Sequence, residues 1–296
     1  MKAIAMKRSI LAVALAATCL LAVSAQAGDA WEDQAKQEIA YFKKYAKKAK
    51  DASKWADLAM GVVGTQHPLA AKELGKILMR DKDLEHQMIL AAAMADFVDK
   101  EEGRVVAGEW LHKALDKGKY ETEVIDSIVN SIGKLKYKPA VFSLCDMMKK
   151  GGDPYLMFTV VRAAGNLEDL RALPTLLGLW EKHPVGYSWE TGDVSVDTGA
   201  SGTADQEAAE AAWKAKYGNS MKAKGKPSVM FKLYIQELAK SVAKITGEKL
   251  GSAQALREWM EAHIDELKEA GVEIPRYKGA PRKKDKDAKK KGKKKK

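Results

Sequence analysis

The amino-acid sequence predicts an all-α fold. Helix-forming Ala, Leu, Lys, Glu and Met dominate, and apolar residues recur at helical spacing, while strand-like alternation is confined to a few residues near Val194. With 296 residues, 46% of them hydrophobic, the chain can bury a sizeable core. Residues 28–50 are predicted to form an N-terminal amphipathic helix. The residues on its apolar face are Trp31, Ala35, Ile39, Phe42 and Ala46.

Residues 1–27 have the three parts of a secretory signal peptide. Basic residues come first, an uncharged apolar stretch over 10–23 follows, and Ala25-Gln26-Ala27 supplies small residues at a cleavage site. We predict cleavage after Ala27, which makes the mature chain periplasmic or secreted. No later stretch approaches the ~20 apolar residues of a membrane span. A lipoprotein anchored through Cys19 is disfavoured, because the residues before it match a lipobox poorly.

The net charge of +11 is concentrated at the two ends of the chain. Residues 1–27 carry three basic residues and no acidic one, and 276–296 carries 13 Lys and Arg against two Asp. Removing +3 and then +11 from the total leaves a net charge of −3 for residues 28–275. Such a body does not fit a basic globular nucleic-acid binder, so we expect no specific nucleic-acid partner.

The Lys-rich tail over 276–296 has almost no apolar surface to bury, so we predict that it is disordered. One interpretation is that it only keeps the chain soluble. The alternative is a polyanion-binding protein, tethered by the tail to an anionic envelope polymer or lipid surface. The candidate polyanion-binding residues are Lys283, Lys284, Lys286, Lys289, Lys290, Lys291, Lys293, Lys294, Lys295 and Lys296.

A repeated pattern organises the body of the chain. Each unit has an apolar helix that ends near a glycine, then a short polar link, then a second apolar helix. Gly133 and Gly165 are 32 residues apart, and Gly64 precedes Gly133 by 69 residues, which is close to two periods. We expect each glycine to take the left-handed conformation that caps a helix. Since one helix pair cannot bury both apolar faces, the pairs are expected to stack.

Two adjacent motifs carry a family resemblance. Residues 163–167 read Ala-Ala-Gly-Asn-Leu, and residues 171–177 read Arg-Ala-Leu-Pro-Thr-Leu-Leu. Helix pairs with these motifs resemble HEAT repeats over 51–183, and again over 228–268 in the terminal helix pair (228–275), which contains Trp259. The Trp-Leu-Gly-Tyr pattern of tetratricopeptide repeats is missing. The resemblance implies a right-handed α-solenoid of stacked helix pairs. By analogy, it also implies an exported, non-catalytic scaffold or adaptor that binds other proteins and has no cofactor.

Residues 184–227 break the period and are predicted to be an insertion, a loop followed by a short helix over 204–217. Tyr187 and Trp189 in this loop are expected to be exposed and to form a protein-contact patch. The insertion is the one interruption of the helical pattern, and therefore the first region to consider for binding.

The same insertion contains Asp197-Thr198-Gly199-Ala200-Ser201, which looks like the active-site loop of a retropepsin-type aspartic protease. A hydrolase using residues 184–205 is therefore an alternative. Such an enzyme needs two carboxylates that share a proton in a β-rich frame. The chain has no second Asp-Thr/Ser-Gly string, and the flanking sequence is helical. We therefore predict a non-catalytic loop.

Other candidate sites are interpreted as structural. Calcium ligation by Asp193, Asp197 and Asp205 does not match the spacing of an EF-hand loop, so no metal is expected. Residues 246–252 superficially suggest a phosphate loop, but they favour a helix-to-helix turn in which Gly247 ends one helix and Ser252 begins the next.

The remaining chemically versatile side chains are also predicted to be structural. Cys145 lies in an apolar run and is expected in the core. The five histidines share no metal-ligand spacing and are expected on the surface or at helix ends. Asp153 is predicted to be an N-cap. Prolines are expected in the first turns of helices at Pro68, Pro139 and Pro154.

Overall fold

The structure is a computed structural model that describes residues 30–49, 51–183, 185–192, 194–196 and 229–272. The predicted signal peptide, the predicted helix over 204–217 and the Lys-rich tail lie outside the described residues. The predictions for Asp193, Asp197 and Asp205 lie outside them as well.

The described chain is almost entirely helical, so the predicted all-α class is confirmed. The first nine helices are α1 (30–45), α2 (Ala52–Gly64), α3 (Pro68–Leu78), α4 (Leu84–Met94), α5 (Glu101–Lys117), α6 (Thr122–Lys134), α7 (Val141–Lys150), α8 (Pro154–Asn166) and α9 (Leu173–Glu181). After a hairpin of strands β1 (Val185–Tyr187) and β2 (Val194–Val196) come α10 (Val229–Thr246), α11 (Ala253–Ala262) and α12 (Ile264–Glu269). Short 3-10 turns are Ala46–Lys48, Lys138–Ala140 and Leu170–Ala172.

Alternate helices pack side by side. One row contains α2, α4, α6, α8 and α10, and each helix of this row contacts the next. On the other side α3 packs on α5, α7 on α9, and α9 on α11. The buried apolar side chains form one continuous cluster that extends from Ile39 in α1 to Val272 beyond α12. None of the described helices is both long and apolar enough to cross a membrane.

Local sequence signals set the helix starts as predicted. Asp153 caps α8, since its Oδ1 accepts from the backbone N–H groups of Tyr155 at 2.9 Å and Leu156 at 3.0 Å. Pro68 and Pro154 occupy the first positions of α3 and α8. Pro139 lies instead in the 3-10 turn that precedes α7. A backbone N–H in the first turn has no acceptor within the helix, so proline, which lacks an N–H, loses no hydrogen bond at these positions.

The turn between α10 and α11 also forms as predicted. Gly247 has a positive φ of 75°, and its N–H donates to the carbonyl oxygen of Ala243 at 2.9 Å. Ser252 caps α11 through its Oγ, which accepts from the N–H of Ala255 at 3.2 Å. Trp259 on α11 is buried. Residues 246–252 are therefore a helix-to-helix turn.

The expected role of the three repeat glycines is wrong. Gly64, Gly133 and Gly165 lie inside α2, α6 and α8, and the left-handed conformation occurs two or three residues later. The residues that adopt it are Gln66 (φ 53°), Lys136 (φ 51°) and Glu168 (φ 52°). Gly64 is the last residue of α2, whereas α6 and α8 each continue one residue beyond their glycine, so the left-handed residue comes only after the helix has ended.

Two of these glycines instead allow helices to approach closely. A Cβ added at Gly133 would lie 2.9 Å from the Cα of Ala163 on α8. A Cβ at Gly165 would lie 2.6 Å from the Cα of Ser241 on α10. A Cβ at Gly64 would meet nothing within 4 Å. Glycine at 133 and 165 therefore sets the distance between successive helices of the α2–α10 row.

The N-terminal helix packs through its predicted face. Ala35, Ile39 and Phe42 are buried, and the Phe42 ring meets that of Trp55 edge-on with centroids 5.2 Å apart. Trp31 Nε1 donates to the backbone carbonyl oxygen of Thr65 at 2.7 Å. These contacts attach α1 to α2 and to the link that follows it.

The start of the insertion is a β-hairpin where a loop was predicted, and the strand-like alternation near Val194 corresponds to β2. Strands β1 and β2 are antiparallel, with Val185 opposite Val196 and Tyr187 opposite Val194. Valine and tyrosine suit a strand, and Gly192 supplies the positive φ of 71° that the turn requires. These two short strands are far from the β-rich frame of an aspartic protease.

Candidate functional site

Tyr187 and Trp189 hold the hairpin to the turn between α10 and α11. The N–H of Tyr187 donates to the carbonyl oxygen of Gly251 at 2.7 Å, and Trp189 Nε1 donates to that of Leu250 at 3.1 Å. The two rings meet edge-on with centroids 5.2 Å apart. Tyr187 is only 8% exposed and Trp189 is half-buried, so the expectation that both are exposed is wrong. The physical basis of the predicted contact patch is thereby removed.

A groove of 570 Å³ lies between α7, α9 and the residues that follow α12. We call it the α7 groove. Its volume falls within the range of about 300–1,000 Å³ that is common for ligand pockets. The side chains on which its chemistry depends are Phe142, Cys145, Lys149, Arg171, Leu179 and Lys182.

Phe142 is the exposed aromatic residue of the α7 groove. It is the second residue of α7, and 58% of its surface is exposed. Val141, Leu144, Cys145 and Met148 have the spacing of a buried helical stripe, and all four are buried. Phe142 falls outside that stripe, so the helical register directs its ring away from the core.

Arg171 contacts Phe142 across the groove. Its guanidinium carbon lies 5.0 Å from the centroid of the Phe142 ring, which is within the range of a cation–π contact. Arg171 Nε and Nη2 donate to the two carboxylate oxygens of Asp169 at 2.9 and 2.6 Å. The backbone N–H of Arg171 donates to the same carboxylate at 3.0 Å. The side chain is therefore held by a ring on one side and a carboxylate on the other.

Arg171 and Asp169 each stabilise the charged form of the other. Burial acts to raise the pKa of Asp169, but the hydrogen bonds and charge of Arg171 outweigh it, so the pKa lies below its ordinary value. The hydrogen bond from Arg171 to Asp169 raises the pKa of the guanidinium in turn. Both groups are therefore ionised at neutral pH, and they form an ion pair there.

The floor of the groove includes Cys145, which is buried as predicted. Burial raises the pKa of its thiol, so the thiol is protonated at neutral pH and is a poor nucleophile. Pro174, Leu179 and Val272 add further apolar surface. The floor can therefore accommodate an apolar side chain.

A Ser–His–Asp cluster joins α5 and α7. Ser143 Oγ lies 2.9 Å from His112 Nε2 and donates to Asp116 Oδ1 at 2.8 Å. Asp116 Oδ2 also lies near His112 Nε2, at 3.4 Å. A catalytic triad needs the carboxylate on the other ring nitrogen, with the serine hydroxyl directed at the histidine. Here the hydroxyl is directed at the carboxylate, so the cluster serves as a polar connection between two helices.

The other histidines also have structural contacts. His67 caps α3, since its Nδ1 accepts from the N–H of Leu69 at 3.0 Å. His86 stacks on Trp55 with ring centroids 4.3 Å apart, and His263 stacks on Trp259 at 4.1 Å. No cluster of three or more His, Cys, Asp or Glu side chains able to hold a metal ion is found in the described part of the chain.

The α7 groove was not predicted from the amino-acid sequence. One signal was available, because Phe142 is an apolar residue outside the buried stripe of its helix. The other walls come from Arg171 after α8, from α9, and from Gly271 and Val272 after α12. No local sequence pattern predicts that these segments lie close together in the fold.

Comparison with known proteins finds no match, since no family model, no curated protein and no solved structure matches this chain. The resemblance to HEAT repeats consequently stays a prediction.

Proposed function

We propose that the protein is a non-catalytic, exported scaffold that binds another protein through the surface of a right-handed, HEAT-like solenoid. The two-row packing of the helices supports the solenoid. So does the recurrence of one loop position, since Lys136 and Glu168 share a left-handed backbone 32 residues apart and their side chains pair at 2.6 Å. Stacked helix pairs expose broad surfaces that commonly bind proteins. Export is supported by the signal-peptide pattern of residues 1–27.

The observation that carries the proposal is the exposed ring of Phe142 at the α7 groove. An aromatic residue and an arginine beside a concave apolar floor are the residue types that dominate binding energy at protein interfaces. The ring is 58% exposed although its helix has a complete buried stripe without it. Its position is therefore explained better by contact with a partner than by packing within the chain.

Site-specific photo-cross-linking in the producing cells tests the proposal. A benzophenone side chain at position 142 should give an adduct with another protein under ultraviolet light. The matched control is position 155, because Tyr155 on α8 is also a strongly exposed aromatic residue, at 67%, but does not line the groove. Adducts of equal yield at both positions, or none at 142, would contradict the proposal.

A second candidate function is binding to an anionic surface through the tail. It rests on the 13 basic residues against two acidic ones in 276–296. The mature chain should then sediment with vesicles rich in phosphatidylglycerol, and a chain ending at residue 275 should not. Binding should weaken as salt rises, because screening shortens the range of charge attraction. Equal sedimentation of both chains would rule this candidate out, and loss of the position-142 adduct in the shorter chain would instead refute the scaffold.

A further inference from the structure

Cationic side chains, and no anionic ones, line the described part of the α7 groove. These cations are Lys149, Arg171 and Lys182. Two carboxylates lie just outside the lining, since Asp146 Oδ1 is 3.4 Å from Lys149 Nζ and Asp169 pairs with Arg171. Residues 28–275 as a whole carry a net charge of −3. The groove therefore combines an apolar floor with positive charge at its edge, which is a pattern of complementarity for an anionic group attached to an apolar one.

Arg171 is fixed in a way that suits recognition of a carboxylate. Asp169 occupies its Nε and one Nη2 proton, and the Phe142 ring covers its guanidinium. Nη1 of Arg171 makes no hydrogen bond to any residue that the structure describes. A guanidinium that is already oriented loses little freedom when its remaining N–H groups bind an anion. Carboxylates are the usual partners of such forked donors.

We propose that the α7 groove binds an extended peptide segment of the partner in which an Asp or Glu lies next to a large apolar residue. The carboxylate contacts Arg171, and the charges of Lys149 and Lys182 add to the attraction. The apolar neighbour packs against Phe142 and Leu179. This ligand class rests on the proposed scaffold function and specifies the chemistry of its partner.

Pools of labelled eight-residue peptides test the ligand class by fluorescence anisotropy on the full mature chain. One pool fixes Glu next to Leu at its centre and randomises the flanks. Two matched pools replace the Glu by Lys, or the Leu by Gly. We expect the Glu-Leu pool to bind at least about tenfold more tightly than either matched pool. Tight binding requires both a carboxylate at the cationic edge of the groove and an apolar side chain on its floor. Equal binding of the Lys-Leu pool would overturn the proposal.

Charge reversal on the protein gives an independent readout. Lys149→Glu with Lys182→Glu should weaken binding of the Glu-Leu pool by about tenfold or more, since like charges would then face the peptide carboxylate. Lys240→Glu together with Lys232→Glu is the matched control, because both residues are exposed on α10 outside the groove. Circular dichroism confirms that each variant is folded. If both double variants bind alike, the groove is not the binding site.

The remaining outcomes are also distinguishable. A chain ending at residue 272 that binds the Glu-Leu pool at least tenfold more tightly than the full chain would assign the groove to the chain's own C-terminal segment, which overturns the proposal. A position-142 adduct without preference for the Glu-Leu pool would refute the ligand class alone. Absence of the adduct would refute the scaffold function, whatever the peptides do.

Discussion

Gly165→Ala should destabilise the protein, although the same change at Gly64 should not. Both glycines lie in helices of the α2–α10 row and at related positions of the sequence pattern. They differ in what surrounds them. The space at Gly64 is open within 4 Å, whereas at Gly165 the added Cβ would meet Ser241 at 2.5 Å from its Oγ and 2.6 Å from its Cα.

The magnitude follows from these distances. Non-bonded carbon atoms are most stable about 3.5–4.0 Å apart, so α10 would have to move by about 1 Å. Over-packing of this kind costs about 1–3 kcal/mol, and alanine returns about 0.5–1 kcal/mol through its helix propensity. Movement of Ser241 also strains its 2.9 Å hydrogen bond to the carbonyl oxygen of Val161, which is worth about 1 kcal/mol. The net loss should be about 1–3 kcal/mol, against a gain of up to about 1 kcal/mol for Gly64→Ala.

Urea denaturation of the mature chain, followed by far-ultraviolet circular dichroism, measures both effects. The midpoint should fall for Gly165→Ala and stay equal or rise for Gly64→Ala, with unchanged helix content before the transition. If Gly165→Ala were as stable as Gly64→Ala, the close contact between α8 and α10 would not require a glycine at position 165. The reasoning about helix spacing along the row would then be wrong.

Three further predictions concern the links. Lys136→Gly should raise the free energy of unfolding by about 1 kcal/mol, because glycine adopts the φ of 51° at this position without strain. The exposed ion pair between Lys136 and Glu168, which the substitution removes, contributes little to stability. A lower urea midpoint would contradict this prediction. Burial lowers the pKa of His67, so the unfolded chain protonates first, and stability should fall as pH drops from about 6.5 through the lower native pKa. His67→Asn replaces the capping ring nitrogen by an amide oxygen that can accept the same bond, and it should flatten that part of the pH profile of melting temperature. An unchanged slope would show that His67 is not its cause. Trp189→Phe should lose the bond to Leu250 and speed limited proteolysis of the hairpin, whereas unchanged cleavage would show that the ring alone holds it.

Features that depend only on neighbouring residues could be predicted from the amino-acid sequence. Helix periodicity, the Asp153 cap and the turn from Gly247 to Ser252 were all predictable, because each involves hydrogen bonds or packing within about four residues. The burial of Cys145 followed from the apolar run around it.

The roles of residues that contact distant parts of the chain became clear only from the packing of the helices. Gly165 appeared to be a helix cap until Ser241, 76 positions away in the printed sequence, showed that it is a point of close helix contact. Tyr187 appeared to be exposed in a polar loop, but Gly251 and its neighbours bury it. The α7 groove has the same origin, because Phe142 and Val272 are brought together by the stacking of helices. Local patterns fix which face of a helix is apolar, whereas packing fixes what that face meets.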